Sequence, residues 1–142
     1  MTGYTDKREI DFSELTAAST SQTVTYTVNP GDVVVNCGHS IETNFDGGAT
    51  SDLTLTVGDG TDPNGMLTAV IIHEDATEVA YSTNTGILLV GDETVGCARQ
   101  VPYLVADTID LLFTATGANM TALTQGRVTV WFTILRLNSN TP

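Results

Sequence analysis

Strict alternation of apolar and polar residues constrains the fold more than any other feature of this chain. In QTVTYTVN (Gln22–Asn29), Val24, Tyr26 and Val28 fall on one face and three threonines fall on the other. A period of two is typical of a half-buried β-strand and does not match the 3.6-residue period of an amphipathic helix. The same alternation returns in Asp52–Asp59, so it is not a local accident.

The last third of the chain contains two long strand-like segments. In Val101–Gly117, we predict one inward face and one opposite face: Ile109, Leu111 and Phe113 against Thr108, Asp110, Leu112 and Thr114. In Arg127–Leu137, the alternate residues also form two sets: Val128, Val130, Phe132, Ile134 and Arg136 against Thr129, Trp131, Thr133, Leu135 and Leu137. Since both sets are largely apolar, this strand is either central in its sheet or meets a partner chain with its outer face.

The composition supports an all-β fold. Threonine, which is β-branched and suits a pleated surface, accounts for 25 of the 142 residues. About eight antiparallel strands with Gly, Pro and Asn turns predict a β-sandwich, and a jelly roll is favoured. An immunoglobulin-type sandwich is the second choice, because it requires a Trp between two cysteines, whereas Trp131 follows both Cys37 and Cys97.

We predict a flexible N-terminal arm over residues 1–9 and a single β-sandwich domain over residues 10–142. Val33–Cys37 is predicted to continue past Gly38 as one strand, with a bulge at that glycine. Met66–Ile72 fits either a strand or a short helical turn. Ala80–Glu93 suggests two short strands.

The charge balance argues against some classes of partner. The chain has 17 acidic and 5 basic residues, a net charge of −12, and its only adjacent bases are Lys7 and Arg8. Binding to nucleic acid or to an anionic membrane requires clustered bases, so neither partner is expected. No apolar run is long enough to span a bilayer, and the first residues do not resemble a signal peptide. Two free thiols, in a protein made in the cytoplasm, are therefore favoured over a disulfide.

The stretch LTVGDGTDPNGML (Leu55–Leu67) resembles a calcium-binding loop. If Gly65 is aligned with the invariant glycine of an EF-hand loop, Gly60 and Ile71 occupy two ligand positions that require acids. The dipeptides of this stretch are common in turns, so a turn is predicted. A looser site made by Asp59, Asp62 and backbone carbonyls is the alternative.

Other apparent motifs are incomplete. His73-Glu74 begins like a zinc-protease motif, but Thr77 stands where the second histidine is needed. Cys37 and His39 could supply two zinc ligands, with Cys97 and His73 as the remaining pair, yet their spacing does not support a site. We therefore assign no catalytic, cofactor-binding or metal-binding residue, and we predict that the protein is not an enzyme.

Three segments resemble the small virion structural proteins of tailed bacteriophages. They are FSELTAASTSQTVTYTV, LTVGDGTDPNGMLTA and IDLLFTATGANMTALTQGRVTVWFTILRL, with an ELTAA opening and a TATG-to-LTQG closing hairpin. The resemblance implies a jelly-roll decoration, or cement, protein on the capsid surface. Such proteins form homo-oligomers, often trimers, and bridge subunits of the major capsid protein. A tail or head-fibre component and a carbohydrate-binding β-sandwich module are the alternatives.

Two groups of residues are candidates for the subunit or coat-protein interface. Tyr4, Lys7 and Arg8 belong to the predicted arm, which would become ordered across a coat subunit. Trp131, Leu135 and Leu137 lie on the outer side of the last strand, and aromatic residues often anchor interfaces. The competing interpretations are a solvated, disordered chain end and a last strand buried on both sides within its own sandwich.

Overall fold

The computed structural model describes residues 2–73, 81–84 and 102–137. This part of the chain forms eight strands: β1 (Thr2–Asp11), β2 (Ser21–Val28), β3 (Asp32–Asp46), β4 (Asp52–Gly58), β5 (Leu67–Ile71), β6 (Tyr81–Asn84), β7 (Asp107–Thr116) and β8 (Gln125–Arg136). They make two antiparallel sheets of four strands each. Sheet A has the order β1-β8-β3-β6, and sheet B has the order β2-β7-β4-β5.

The strand pairing is that of a jelly roll. The first strand pairs with the last (β1 with β8), then β2 with β7, β3 with β6 and β4 with β5. The chain thus behaves as one long hairpin that has been folded over, with successive strand pairs placed in alternate sheets. The pairs β3–β8 and β4–β7 complete the two sheets. The predicted all-β sandwich is confirmed, and its topology is the favoured jelly roll.

The core lies between the inner faces of the two sheets. Val24, Tyr26 and Val28 of β2 point inward, as the alternation predicts, and so do the matching residues of β7 and β8. The ring of Tyr26 lies 4.7 Å from that of Phe132, which joins sheet B to sheet A. Phe132 is fully buried. The period-two pattern therefore identifies the core-facing side of these strands correctly.

The predicted flexible arm differs from the structure. Thr2–Asp11 form β1, an edge strand paired along its whole length with β8. Charged residues make this strand hard to identify from the sequence. On its inner side, Asp6 accepts a hydrogen bond from the Tyr26 hydroxyl at 2.7 Å, and Arg8 pairs with Glu14. Inward-pointing charges are a common device that protects an edge strand from pairing with other chains. The assignment of residues 10–142 to a single domain stays a prediction.

Strand β3 is continuous through Gly38, as predicted, but the bulge at that glycine is wrong. Gly38 pairs in register with Trp131, and the register shifts fall instead between Val34 and Asn36 and after Ile41. Leu67–Ile71 is a strand rather than a helical turn. Of the two strands predicted in Ala80–Glu93, Tyr81–Asn84 is β6, and the second lies outside the described residues.

An ion pair between buried Asp32 and partly exposed Arg136 closes one end of the sandwich. Asp32, which is 1% exposed, accepts hydrogen bonds from Arg136 Nε at 2.6 Å and Nη2 at 3.0 Å. The same carboxylate accepts from the backbone N–H of Asn29 at 2.9 Å, so it also fixes the β2–β3 turn. Arg136 keeps the pKa of Asp32 below its usual range, mainly through the side-chain hydrogen bond.

Within the described residues, no helix is long and apolar enough to cross a membrane.

Candidate interaction surface

The outer face of sheet A carries a partly exposed tryptophan at its centre. Trp131 lies on β8, with Lys7 of β1 as its register partner on one side and Gly38 of β3 on the other. Its neighbours in the chain, Val130 and Phe132, are fully buried on the inner face, so the indole points away from the core and is half-buried. Gly38 itself contributes no side chain to that flank of Trp131.

Apolar contact continues along β8 towards its end. Leu135 pairs in register with Gly3 on one side and with Val33 on the other. It lies over Gly3 so closely that a Cβ on that glycine would come within 2.9 Å of the leucine Cδ2. We call the surface formed by Lys7, Trp131, Thr133 and Leu135 the Trp131 face, with buried Val33 beneath it.

The structure brings together part of the predicted interface and separates the rest. Lys7, Trp131 and Leu135 share the Trp131 face. Tyr4 and Arg8 occupy the alternate positions of β1. Their register partners, Ile134 and Val130, belong to the inner side of β8. Leu137 follows the end of β8 and is 41% exposed.

The structure bears out the first alternative for the last strand, a central position in its sheet, while contact of its outer face with a partner chain stays a prediction. β8 is a central strand of sheet A, between β1 and β3, and this explains why both of its faces are apolar. Its outer residues Trp131, Thr133 and Leu135 are nevertheless only half-buried by the chain itself. The outer side of β8 therefore remains a surface that a partner can contact.

The bases at the start of the chain are compensated by acids. Lys7 pairs with Glu9, Arg8 pairs with Glu14, and Arg127 lies 3.2 Å from Asp11. These six residues line an open recess of about 450 Å³. The hydrogen bond from Lys7 lowers the pKa of the Glu9 carboxyl and raises that of the lysine. Lys7 and Arg8 are thus held in local pairs rather than presented as a free basic patch.

Asp59 in the calcium-like stretch is used by the backbone. Its Oδ1 accepts from the N–H groups of Thr61 at 2.9 Å and Asp62 at 2.8 Å, and its backbone N–H donates to the Asp62 carbonyl. The loop folds back over Gly58, where a Cβ would come within 2.0 Å of the same carbonyl oxygen. The stretch forms a tight turn in which this carboxylate replaces a backbone acceptor.

The histidines and the first cysteine are buried rather than clustered in a cleft. Cys37 is a free thiol in the core, and burial raises its pKa to about 12, which makes it a poor nucleophile. His39 is buried on the same strand, and His73 Nε2 lies 3.7 Å from Asp46 Oδ1. Among the described residues, no three His, Cys, Asp or Glu side chains form a group that could hold a metal ion. Cys97, Glu74 and Thr77 lie outside the described residues.

Sequence reasoning missed one surface feature, the exposed pair Leu104 and Val105. The segment Val101–Gly117 reads as a single strand, but β7 begins only at Asp107, and both residues lie in a bend before it. The signal was present in the sequence. Two adjacent apolar residues interrupt the alternation that resumes at Thr108.

Comparison with known proteins supports the fold. No protein-family model and no curated protein matches the chain. A chain of the cyanophage Pam1 capsid asymmetric unit is similar in structure, with a TM-score of 0.58 and 17% identity over 93% of this chain and 83% of that one. A chain from the acid-stable capsid structure of Helicobacter pylori bacteriophage KHP30 aligns with a TM-score of 0.46 and 15% identity over 97% and 94% of the two chains. At this identity the Pam1 match shows a shared fold.

Proposed function

We propose that this chain is a non-enzymatic structural protein of a tailed-phage virion, specifically a decoration or cement protein on the capsid surface. The observation that carries the proposal is the Trp131 face on a jelly-roll sandwich. The sequence resemblance described above and the fold shared with a chain of the Pam1 capsid support the phage setting.

The mechanism is mechanical. Homo-oligomers, expected to be trimers, bind across the junctions between major capsid protein subunits and add buried area where the shell would otherwise open. Trp131 and Leu135 supply the apolar centre of the contact, and Lys7 and Thr133 supply its polar margin. A half-buried tryptophan beside a glycine is suited to this role, because it offers a large rigid surface at low entropic cost.

The test uses shells prepared without this protein. Adding the wild-type chain is expected to raise the temperature at which the shells fail, and W131S/L135S is expected to lose binding in a sedimentation assay. The matched control is L112S, which removes a half-buried apolar residue from the outer face of sheet B. Binding by W131S/L135S equal to wild type would remove the Trp131 face from the mechanism. An unchanged failure temperature with bound wild type would refute the cement role.

The same indole favours one second candidate, a carbohydrate-binding module. Sugars stack on exposed aromatic faces, and Trp131 has polar neighbours in Lys7 and Thr133. Because Trp131 is the only tryptophan, its fluorescence reports directly on this face. Saturable changes in that fluorescence with soluble polysaccharides, absent with shells, would favour the second candidate.

A further inference from the structure

A second surface, separate from the Trp131 face, lies at one end of the sandwich. Leu104 is 86% exposed and Val105 is 68% exposed, and Leu137 at 41% is the third large apolar side chain in the described residues with high exposure. Large apolar residues clustered at an exposed site are a common mark of an interaction surface. We call these three residues the end patch.

Backbone hydrogen bonds hold the end patch together. The N–H of Gly31 donates to the carbonyl of Tyr103 at 2.8 Å, and the N–H of Tyr103 donates to the carbonyl of Asp32 at 2.9 Å. The N–H of Leu137 donates to the carbonyl of Gly31 at 2.9 Å. The segments that carry Leu104, Val105 and Leu137 are therefore anchored to the turn between β2 and β3. The ion pair of Asp32 and Arg136 holds this turn in place. A patch anchored in this way is pre-organised for binding.

The surroundings of the end patch are acidic. The Tyr103 hydroxyl, next to Leu104 in the chain, donates to Asp59 Oδ2 at 3.3 Å. Burial is the main reason why the pKa of Tyr103 is raised, and the carboxylates of Asp59, Asp107 and Asp110 raise it further. Asp107 is exposed at the start of β7, two residues after Val105. Among the described residues, the cation at this end is Arg136, which is bound to Asp32.

We propose that the end patch docks a segment of a partner protein in which apolar side chains lie between lysines or arginines. The apolar side chains cover Leu104 and Val105, and the flanking bases face Asp59, Asp107 and Asp110. A second copy of this chain does not fit that description. It has a net charge of −12, and the bases in the described part of the chain, Lys7, Arg8, Arg127 and Arg136, all pair with acids of their own chain. This proposal does not depend on the virion role.

The probe is a synthetic peptide of two leucines flanked on each side by two lysines. Its controls are the same peptide with serine in place of leucine and with glutamate in place of lysine. Fluorescence anisotropy of the labelled peptides is measured with the full chain at low and high salt. We expect the leucine–lysine peptide to bind, both controls to bind roughly tenfold more weakly, and added salt to weaken binding.

Two variants assign the peptide to the end patch. L104S/V105S is expected to weaken binding about tenfold, as truncating central apolar anchors does, without loss of folding because both side chains are exposed. D107N/D110N is expected to weaken binding several-fold and to reduce its salt dependence. The matched control is E9Q, which removes an exposed acid paired with Lys7 on the Trp131 side of the molecule.

Some outcomes would overturn the proposal. Equal binding of the leucine and serine peptides would mean that net charge alone attracts them. Unchanged binding by L104S/V105S would place the contact elsewhere. A concentration-dependent dimer that L104S/V105S abolishes, in the absence of peptide binding, would assign the end patch to a second copy of the chain.

Discussion

The two sheets are alike on their inner faces and different on their outer faces. The outer face of sheet B is mostly polar, as in the row Ser21–Thr114–Thr54, and Leu112 is a half-buried apolar residue in the row Thr23–Leu112–Thr56. The outer face of sheet A has Trp131 and Leu135 in the equivalent position, at the middle of the sheet. Both faces follow the same period of two, so the alternation alone does not distinguish them.

This difference separates two tasks of a surface strand. Threonine satisfies the conformational preference of a strand while keeping a hydroxyl in water, so sheet B is suited to solvent. When another surface covers a half-buried tryptophan and leucine, more apolar area is removed from water than when it covers threonines, so the gain in free energy is larger. Of the two outer faces, that of sheet A is therefore the one better suited to the partner contact proposed above.

The sharpest test of the inner and outer assignment compares two neighbours on β8. Phe132 is fully buried against Tyr26, so F132A is expected to lower the free energy of unfolding by about 3–5 kcal/mol. W131A, one residue away on the outer face, is expected to lower the free energy of unfolding by about 1 kcal/mol or less. Urea unfolding followed by far-UV circular dichroism measures both. Similar losses for the two variants would show that the outer face of sheet A is structural rather than free for a partner.

A smaller effect is expected from D32N at the end of sheet A. The amide loses the charge-assisted hydrogen bonds to Arg136, and since the guanidinium is partly exposed the expected loss at neutral pH is about 1–2 kcal/mol. The pKa of Asp32 is lowered in the folded state, and the unfolded value is about 3.9. Its contribution is therefore complete above that value and is lost as the pH falls below it through the folded pKa.

Wild type should accordingly lose stability more steeply than D32N below about pH 4. Chemical unfolding at a series of pH values provides the comparison. R136K, which keeps the charge but not the two-point contact with Asp32, is expected to fall between them at neutral pH. Parallel pH profiles for wild type and D32N would contradict the assignment.

The smallest effect is expected at the opposite end of β1. Lys7 and Glu9 form an exposed pair, and pairs of this kind contribute little to stability because water and salt screen them. K7Q and E9Q should therefore unfold at the same urea concentration as wild type, at low and at high salt. A clear loss in either variant would mean that this pair is a structural part of sheet A.

Much of the fold could be predicted from residues whose signal is local. The inward faces of β2, β7 and β8 follow directly from alternation, and Asn29–Asp32 is a turn, as its Pro and Gly suggest. The N-terminal strand could not be identified in this way. Its apolar pattern is hidden by Asp6 and Arg8: Arg8 pairs with nearby Glu14, and the partner of Asp6, Tyr26, is brought close only when the two sheets pack together.

The candidate site was less predictable, because it depends on register. Trp131 and Leu135 could be named from the two-faced pattern of β8, but their neighbours Gly38, Gly3 and Val33 come from other strands. The pair of Asp32 and Arg136 joins residues 104 positions apart, and no spacing rule indicates it. The capping box at Asp11 and Glu14, by contrast, is a local motif that the sequence does contain.

The pairing of β1 with β8 also has a mechanical consequence. Thr2 and Arg136 are register partners, so the first and last described strands leave the sandwich at the same end of sheet A. We expect a force that pulls those strand ends apart to separate β1 from β8 one hydrogen-bonded pair at a time. Antiparallel strands resist such a force least, because their hydrogen bonds break one after another. Tension between Trp131 and Leu137 instead runs along the covalent backbone of β8. A tether fused to either end would therefore load the pairing of β1 with β8, whereas Trp131 and Leu135 of the Trp131 face lie along the backbone of β8.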